Sequence, residues 1–77
     1  MEINSFIQQF EDTIADLPPN SINPETDFKN LPQWDSLAML SLFAKLDSEY
    51  NVSLTAEELN SCNNMTELYE LVKSKMP

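Results

Sequence analysis

The hydrophobic positions fall into three blocks with helical spacing, separated by stretches with no period. In the first block Ile3, Phe6, Ile7, Phe10, Ile14 and Leu17 recur at intervals of three, four and seven, which places them on one helical stripe. Gln8, Gln9, Glu11, Asp12 and Asp16 take the remaining positions and predict a solvated face. This helix is expected to run to about Leu17. Pro18 and Pro19 then stop it, because proline has no amide hydrogen and biases its predecessor away from helical geometry.

The second block begins at Asp35 or Ser36 and runs to about Tyr50. Leu37, Leu40 and Ala44 form one line and Met39, Phe43, Leu46 and Tyr50 an adjoining one, a broad apolar stripe of which some members are expected to be on view. Asp35 suits the N-cap, where its carboxylate accepts from first-turn amides and complements the positive end of the helix dipole. Asn51-Val52-Ser53-Leu54 then reads as an extended link, and Thr55-Ala56-Glu57-Glu58 as a capping box that opens a short helix to about Asn60. Asn64-Met65-Thr66-Glu67 has the same logic, with Asn63 an alternative cap. It opens the last block, in which Met65, Leu68, Tyr69, Leu71, Val72 and Met76 are the apolar candidates, with Lys73 and Lys75 near the C-terminal end.

Between the first two helices, residues 18–33 have no sustained period. Pro19-Asn20, Asn23-Pro24 and Leu31-Pro32 mark turns, and a short helical turn is expected near Thr26 to Lys29. Ile22, Phe28, Leu31 and Trp34 are available to pin this long loop to the core, and loops of such length often have a functional reason. The prediction is an all-α four-helix bundle, three long helices and one short, with a long loop between the first two. The 77 residues are expected to form a single domain, 1–77. The chain has no glycine, so helix ends must use asparagine or solvent instead.

Composition narrows the function. Thirteen acidic residues against four basic ones give a formal charge of −9, which argues against nucleic-acid binding and favours basic patches on other proteins. With no histidine, Ser-His and Cys-His nucleophile pairs are impossible, and with no glycine there is no phosphate-cradling loop. Carboxylate neighbours such as Glu11–Asp12 and Glu57–Glu58 fall on faces expected to be solvated. One cysteine allows neither an intramolecular disulfide nor a zinc site. No signal-peptide pattern opens the chain and no apolar run is long enough for a bilayer, so a monomeric cytoplasmic protein without membrane insertion is expected. A body this small leaves little core for a deep catalytic pocket, which favours a binding or carrying role over an enzyme.

The remaining chemistry sits in Trp34-Asp35-Ser36-Leu37-Ala38-Met39-Leu40, where a serine hydroxyl begins a helix directly after the long loop. A phosphodiester there would lie near unpaired amides and the positive dipole end. Asp35 would repel that phosphate unless a metal or a basic partner stood between them, and an enzyme-bound divalent ion could bridge the two during attachment. Taken alone, Asp-Ser at a helix start is a common capping pattern.

Over essentially its whole length the chain resembles acyl and peptidyl carrier proteins. Asp35-Ser36-Leu37 is similar to their Asp-Ser-Leu motif at the start of the second helix, followed by Leu40, Leu42, Leu46 and Tyr50. Asn51 to Leu59 and Met65-Thr66-Glu67-Leu68 resemble the segments that follow. The resemblance implies that Ser36 receives 4'-phosphopantetheine from coenzyme A through a phosphopantetheinyl transferase. It also implies that the arm's thiol holds acyl or aminoacyl groups for loading enzymes and downstream synthases or transferases. Trp34, Ala38, Ser41, Ala44, Asp47 and Glu49 are the expected partner-facing residues, Trp34 being alternatively a loop anchor. Cys62 stands at a position where family members keep an aliphatic side chain, so a buried thiol is expected. The family's frequent glycine two residues before the aspartate is absent from Leu31-Pro32-Gln33-Trp34-Asp35, and the second helix is less acidic than in fatty-acid carriers. Both departures, with Trp34 beside the motif, favour a dedicated secondary-metabolite or cell-surface pathway. A fatty-acid carrier and an unmodified helical interaction module are the alternatives.

Overall fold

A computed structural model describes residues 2–77. Helix α1 spans Ile3–Thr13, α2 Ser36–Tyr50, α3 Ala56–Asn60 and α4 Met65–Lys75, with a turn of 3-10 helix at Phe28–Asn30 in the long loop. No strand occurs among the described residues. This is the expected all-α fold with three longer helices and one short.

The α1 stripe buries Phe6, Ile7 and Phe10, but the helix stops at Thr13, four residues before the predicted end at Leu17. Thr13 Oγ1 donates back to the Gln9 carbonyl at 2.6 Å, Ile14 turns extended and Asp16 takes a left-handed φ of 65°. Pro18 disfavours helical geometry at Leu17, and aspartate tolerates the left-handed region better than most residues, so the chain reverses there. Ile14 still reaches the core from an extended backbone.

Glu11 does not belong to the solvated face. It is 8% exposed, and its Oε2 accepts from the Ile22 amide at 3.1 Å. The long loop folds across that side of α1, and the amide it buries there needs an acceptor, which the carboxylate supplies.

Three aromatic rings fasten the rest of the loop. Phe28 meets Phe10 edge-on at 5.8 Å, and Trp34 stacks on Phe10 at 6.1 Å while meeting Phe28 edge-on at 5.3 Å. Such pairs contribute roughly 0.5–1.5 kcal/mol each beyond their burial. Trp34 is thus a half-buried loop anchor.

The α2 face that turns inward is Ala38, Leu42 and Leu46, with Met39, Phe43 and Tyr50 partly buried beside it. Leu37 and Leu40 of the predicted apolar line point out, at 69% and 60% exposure. The first turns of α2 are apolar almost all round, so periodicity does not choose a face and packing against α1 does. At the other end Asn51 takes a left-handed φ of 54°, and its amide and that of Val52 return to α2 carbonyls, the role glycine usually fills.

The Thr55–Glu58 capping box opens α3 as expected. Two lysines tie this short helix, one at its C-terminal end and one at its middle residue. Lys29 Nζ donates to the Asn60 carbonyl at 2.8 Å, and Lys75 pairs with Glu58 at 2.7 Å. Cys62 follows it as a buried thiol, which burial pushes above its ordinary pKa. Asn64 caps α4, and Glu67 reaches back one residue further than a capping box, to the Asn63 amide at 3.0 Å.

Candidate functional site

The candidate site is the start of α2. The loop arrives through a turn in which the Trp34 amide bonds the Leu31 carbonyl at 3.0 Å, and the rings of Trp34, Phe10 and Phe28 fix its position. Asp35 then adopts extended geometry. Its Oδ1 accepts from the Ala38 amide at 2.8 Å, and its carbonyl accepts from Met39 at 3.0 Å. Two first-turn donors remain, the amides of Ser36 and Leu37, which meet no protein acceptor among the described residues. Ser36 is exposed, and its hydroxyl makes no hydrogen bond there either.

The four lysines are all engaged away from this point. Lys29 and Lys75 hold α3, Lys45 pairs with Glu49 at 3.4 Å, and Lys73 lies over the Tyr69 ring at 5.7 Å. An anion at Ser36 would therefore meet two free amides and a helix dipole but no cationic side chain. That arrangement accommodates a phosphodiester without clamping it. A tethered group needs such a point, reachable and unobstructed.

Of the sequence-predicted surface residues, Ala44, Asp47 and Glu49 are exposed, and Ser41 and Trp34 are half-buried. Ala38 is a correction. At 6% exposure its methyl belongs to the core, because it sits one step around the helix from Leu37 on the side that packs inward. Leu40 is the surface residue that sequence reasoning left out. Its signal was present, as one of two leucines in the over-wide apolar stripe of the first turns.

Beside the α2 start lies an open cleft of about 450 Å³. Ala15 and Asp16 after α1, Pro32 and Gln33 of the loop, and Asp35 and Leu37 on either side of Ser36 all line it. Gln33 Nε2 donates to the Asp16 carbonyl at 3.5 Å, a long bond that spans two of these walls.

A family model described as a phosphopantetheine attachment site matches residues 7–72. The chain belongs to the phosphopantetheine-binding carrier family. The carrier is 33% identical to polyketide-8 synthase acyl carrier protein 2 of Streptomyces avermitilis over 63 residues, 82% of this chain and 72% of that relative. No solved structure gives a significant match. The protein is thus a non-catalytic acyl carrier that works through a phosphopantetheine arm, and the family's partners are phosphopantetheinyl transferases and synthase enzymes. Among the described residues no helix is long and apolar enough to cross a membrane.

Proposed function

We propose that Ser36 is the attachment point of the arm and that the carrier serves a dedicated biosynthetic pathway of the polyketide or related type. The observation that carries the assignment is the α2 start itself, with an exposed hydroxyl, two unpartnered amides and no neighbouring group in its way. The relative named as a polyketide synthase carrier supports the pathway class. So does the mildness of the α2 surface, where Lys45 offsets Glu49.

In the attachment step Ser36 Oγ attacks the phosphorus of coenzyme A that bears the pantetheine. The new P–O bond forms as the bond to the adenosine bisphosphate leaving group breaks, and the serine proton passes to a base of the transferase. Asp35 faces that reaction with one carboxylate oxygen committed to the cap and the other free to ligand a divalent ion brought by the transferase. The arm's terminal thiol holds cargo as a thioester. The protein supplies the tether, which raises the effective concentration of cargo at a docked enzyme.

Leu37, Leu40 and Ala44 form the apolar centre of the partner-facing surface, with Trp34, Ser41, Asp47 and Glu49 around it. Acidic residues at this rim steer basic-rimmed enzymes, so affinity for such a partner falls as salt rises, checked by titration at two ionic strengths. The decisive experiment is intact mass after incubation with coenzyme A and a broad-specificity transferase. The wild-type protein gains one arm and Ser36→Ala gains none, with its unfolding unchanged. A gain that survives in Ser36→Ala, or no gain on folded wild-type protein, overturns the assignment.

A further inference from the structure

Glu11 is the one charged side chain that is buried among the described residues, and it has no ion pair there. Its Oε2 accepts from the Ile22 amide at 3.1 Å. Oε1 takes no bond among the described residues. Since no fully buried side-chain oxygen there lacks a partner, Oε1 must open onto the cleft of about 360 Å³ that Glu11 lines. A carboxylate this buried is favourable when a cation or several donors meet it, and here a single amide does. The chain's four lysines are engaged at Asn60, Glu58, Glu49 and Tyr69, so none of them supplies the missing charge. No residue of α2 lines this cleft, and it shares none with the cleft beside the α2 start.

The walls specify the group that is missing. Ile7, Ile22 and Pro24 give apolar surface, and the exposed side-chain amides of Asn4, Gln8 and Asn20 have carbonyl oxygens to offer. Apolar wall around one open carboxylate oxygen suits an alkyl stem that ends in a cation. A guanidinium fork is best matched by both oxygens of a carboxylate, and Oε2 is already bonded. An ammonium has three donors, which one carboxylate oxygen and two neutral oxygens satisfy. We propose that this cleft is a docking site for a lysine side chain of a partner protein, with the ammonium at Glu11 Oε1 and the stem against Ile7 and Ile22. The formal charge of −9 steers a basic partner toward it. The site belongs to α1 and the loop, so a partner held there leaves Ser36, Leu37 and Leu40 free for a second enzyme. Such docking needs no arm on Ser36.

The test titrates the unmodified carrier with a capped glycine-lysine-glycine peptide and follows its backbone and side-chain amide signals. Docking moves the Ile22 amide and the side-chain amides of Asn4, Gln8 and Asn20 with a Kd of about 1–10 mM, while the norleucine counterpart leaves them still. Glu11→Gln, which keeps an oxygen for the Ile22 amide and removes the charge, weakens binding about tenfold or more. Gln8→Lys, at an exposed position of α1 one turn before Glu11, brings its own ammonium to the cleft. It blocks the peptide and raises the melting temperature. Because it leaves Glu11 in place, its result stands even where Glu11→Gln does not fold. Equal binding to Glu11→Gln, or an arginine peptide that binds as well as the lysine one, overturns the proposal. Binding of n-butylammonium but not of the peptide shows a cleft closed to proteins and overturns the docking. So does the absence of any movement at these signals about tenfold above that concentration range.

Discussion

Helices α2 and α4 begin in nearly the same way and end up with opposite roles. Asp35 and Asn64 cap them at φ −152° and −154°, and each side chain accepts from the third amide, at 2.8 and 2.9 Å. At α4 the loop covers the next donors. Met65 bonds the Thr26 carbonyl at 3.1 Å, Thr66 bonds the Pro24 carbonyl at 3.0 Å, and the Thr66 hydroxyl adds a bond to Pro24 at 2.9 Å. The first side chain, Met65, is 0% exposed. At α2 the corresponding amides meet no acceptor among the described residues, and Ser36 and Leu37 stand in solvent. Cap chemistry starts a helix, but what the loop does with the remaining donors decides whether that start is structure or site.

Substitutions at matched positions should therefore diverge. The largest difference is expected at the first-turn apolar side chains. Met65→Ala empties core volume and costs about 2–5 kcal/mol, while Leu37→Ala costs less than about 0.5 kcal/mol in the same urea melts. Leu37→Ala should instead lower kcat/KM of a partner enzyme that uses the loaded carrier. Equal stability losses at the two positions would break the comparison.

The caps come next. Asp35→Ala and Asn64→Ala should each cost about 1 kcal/mol, since they remove the same bond from the same position. Asp35→Asn sharpens the contrast by keeping the cap. Stability should stay within about 0.5 kcal/mol of wild type, because aspartate and asparagine cap equally well, while arm attachment slows in a single-turnover mass assay. Unchanged attachment would show that only capping is required of this carboxylate.

The smallest effect is expected from the ion pair that joins the end of α4 to α3. The Glu58 carboxyl is held below its ordinary range by the Lys75 ammonium and the Thr55 amide. A depressed carboxylate pKa stabilises the fold fully above the unfolded value, near 4.5, and that contribution disappears as pH falls through the lower folded value. The melting temperature should drop in that window, and the drop should be shallower in Lys75→Ala. Identical pH slopes for the two proteins would remove the pair from the account.

Most of the element plan was legible because its signals are local. The Asp35 and Thr55 caps and the apolar stripe of α1 depend on residues a few positions apart, whereas Asn51, read as the start of an extended link, instead takes the left-handed cap of α2. Three other readings failed, two of them for a non-local reason and one, the end of α1, through the local turn before Pro18. Glu11 looked solvated until the loop residue Ile22 was laid across it, α1 ended early where the chain turned at Asp16, and Ala38 and Leu37 exchanged expected faces. The acidic balance, the want of histidine and glycine, and the Asp35-Ser36-Leu37 motif were fixed in the letters themselves. Which of two similar helix starts stays open was decided by tertiary structure, through the carbonyls of Pro24 and Thr26 that close one and are absent from the other. Those carbonyls lie some 40 residues before the amides they satisfy. No spacing rule over a few residues carries that contact, because backbone acceptors are alike in every residue and only the folded path of the loop says where they point.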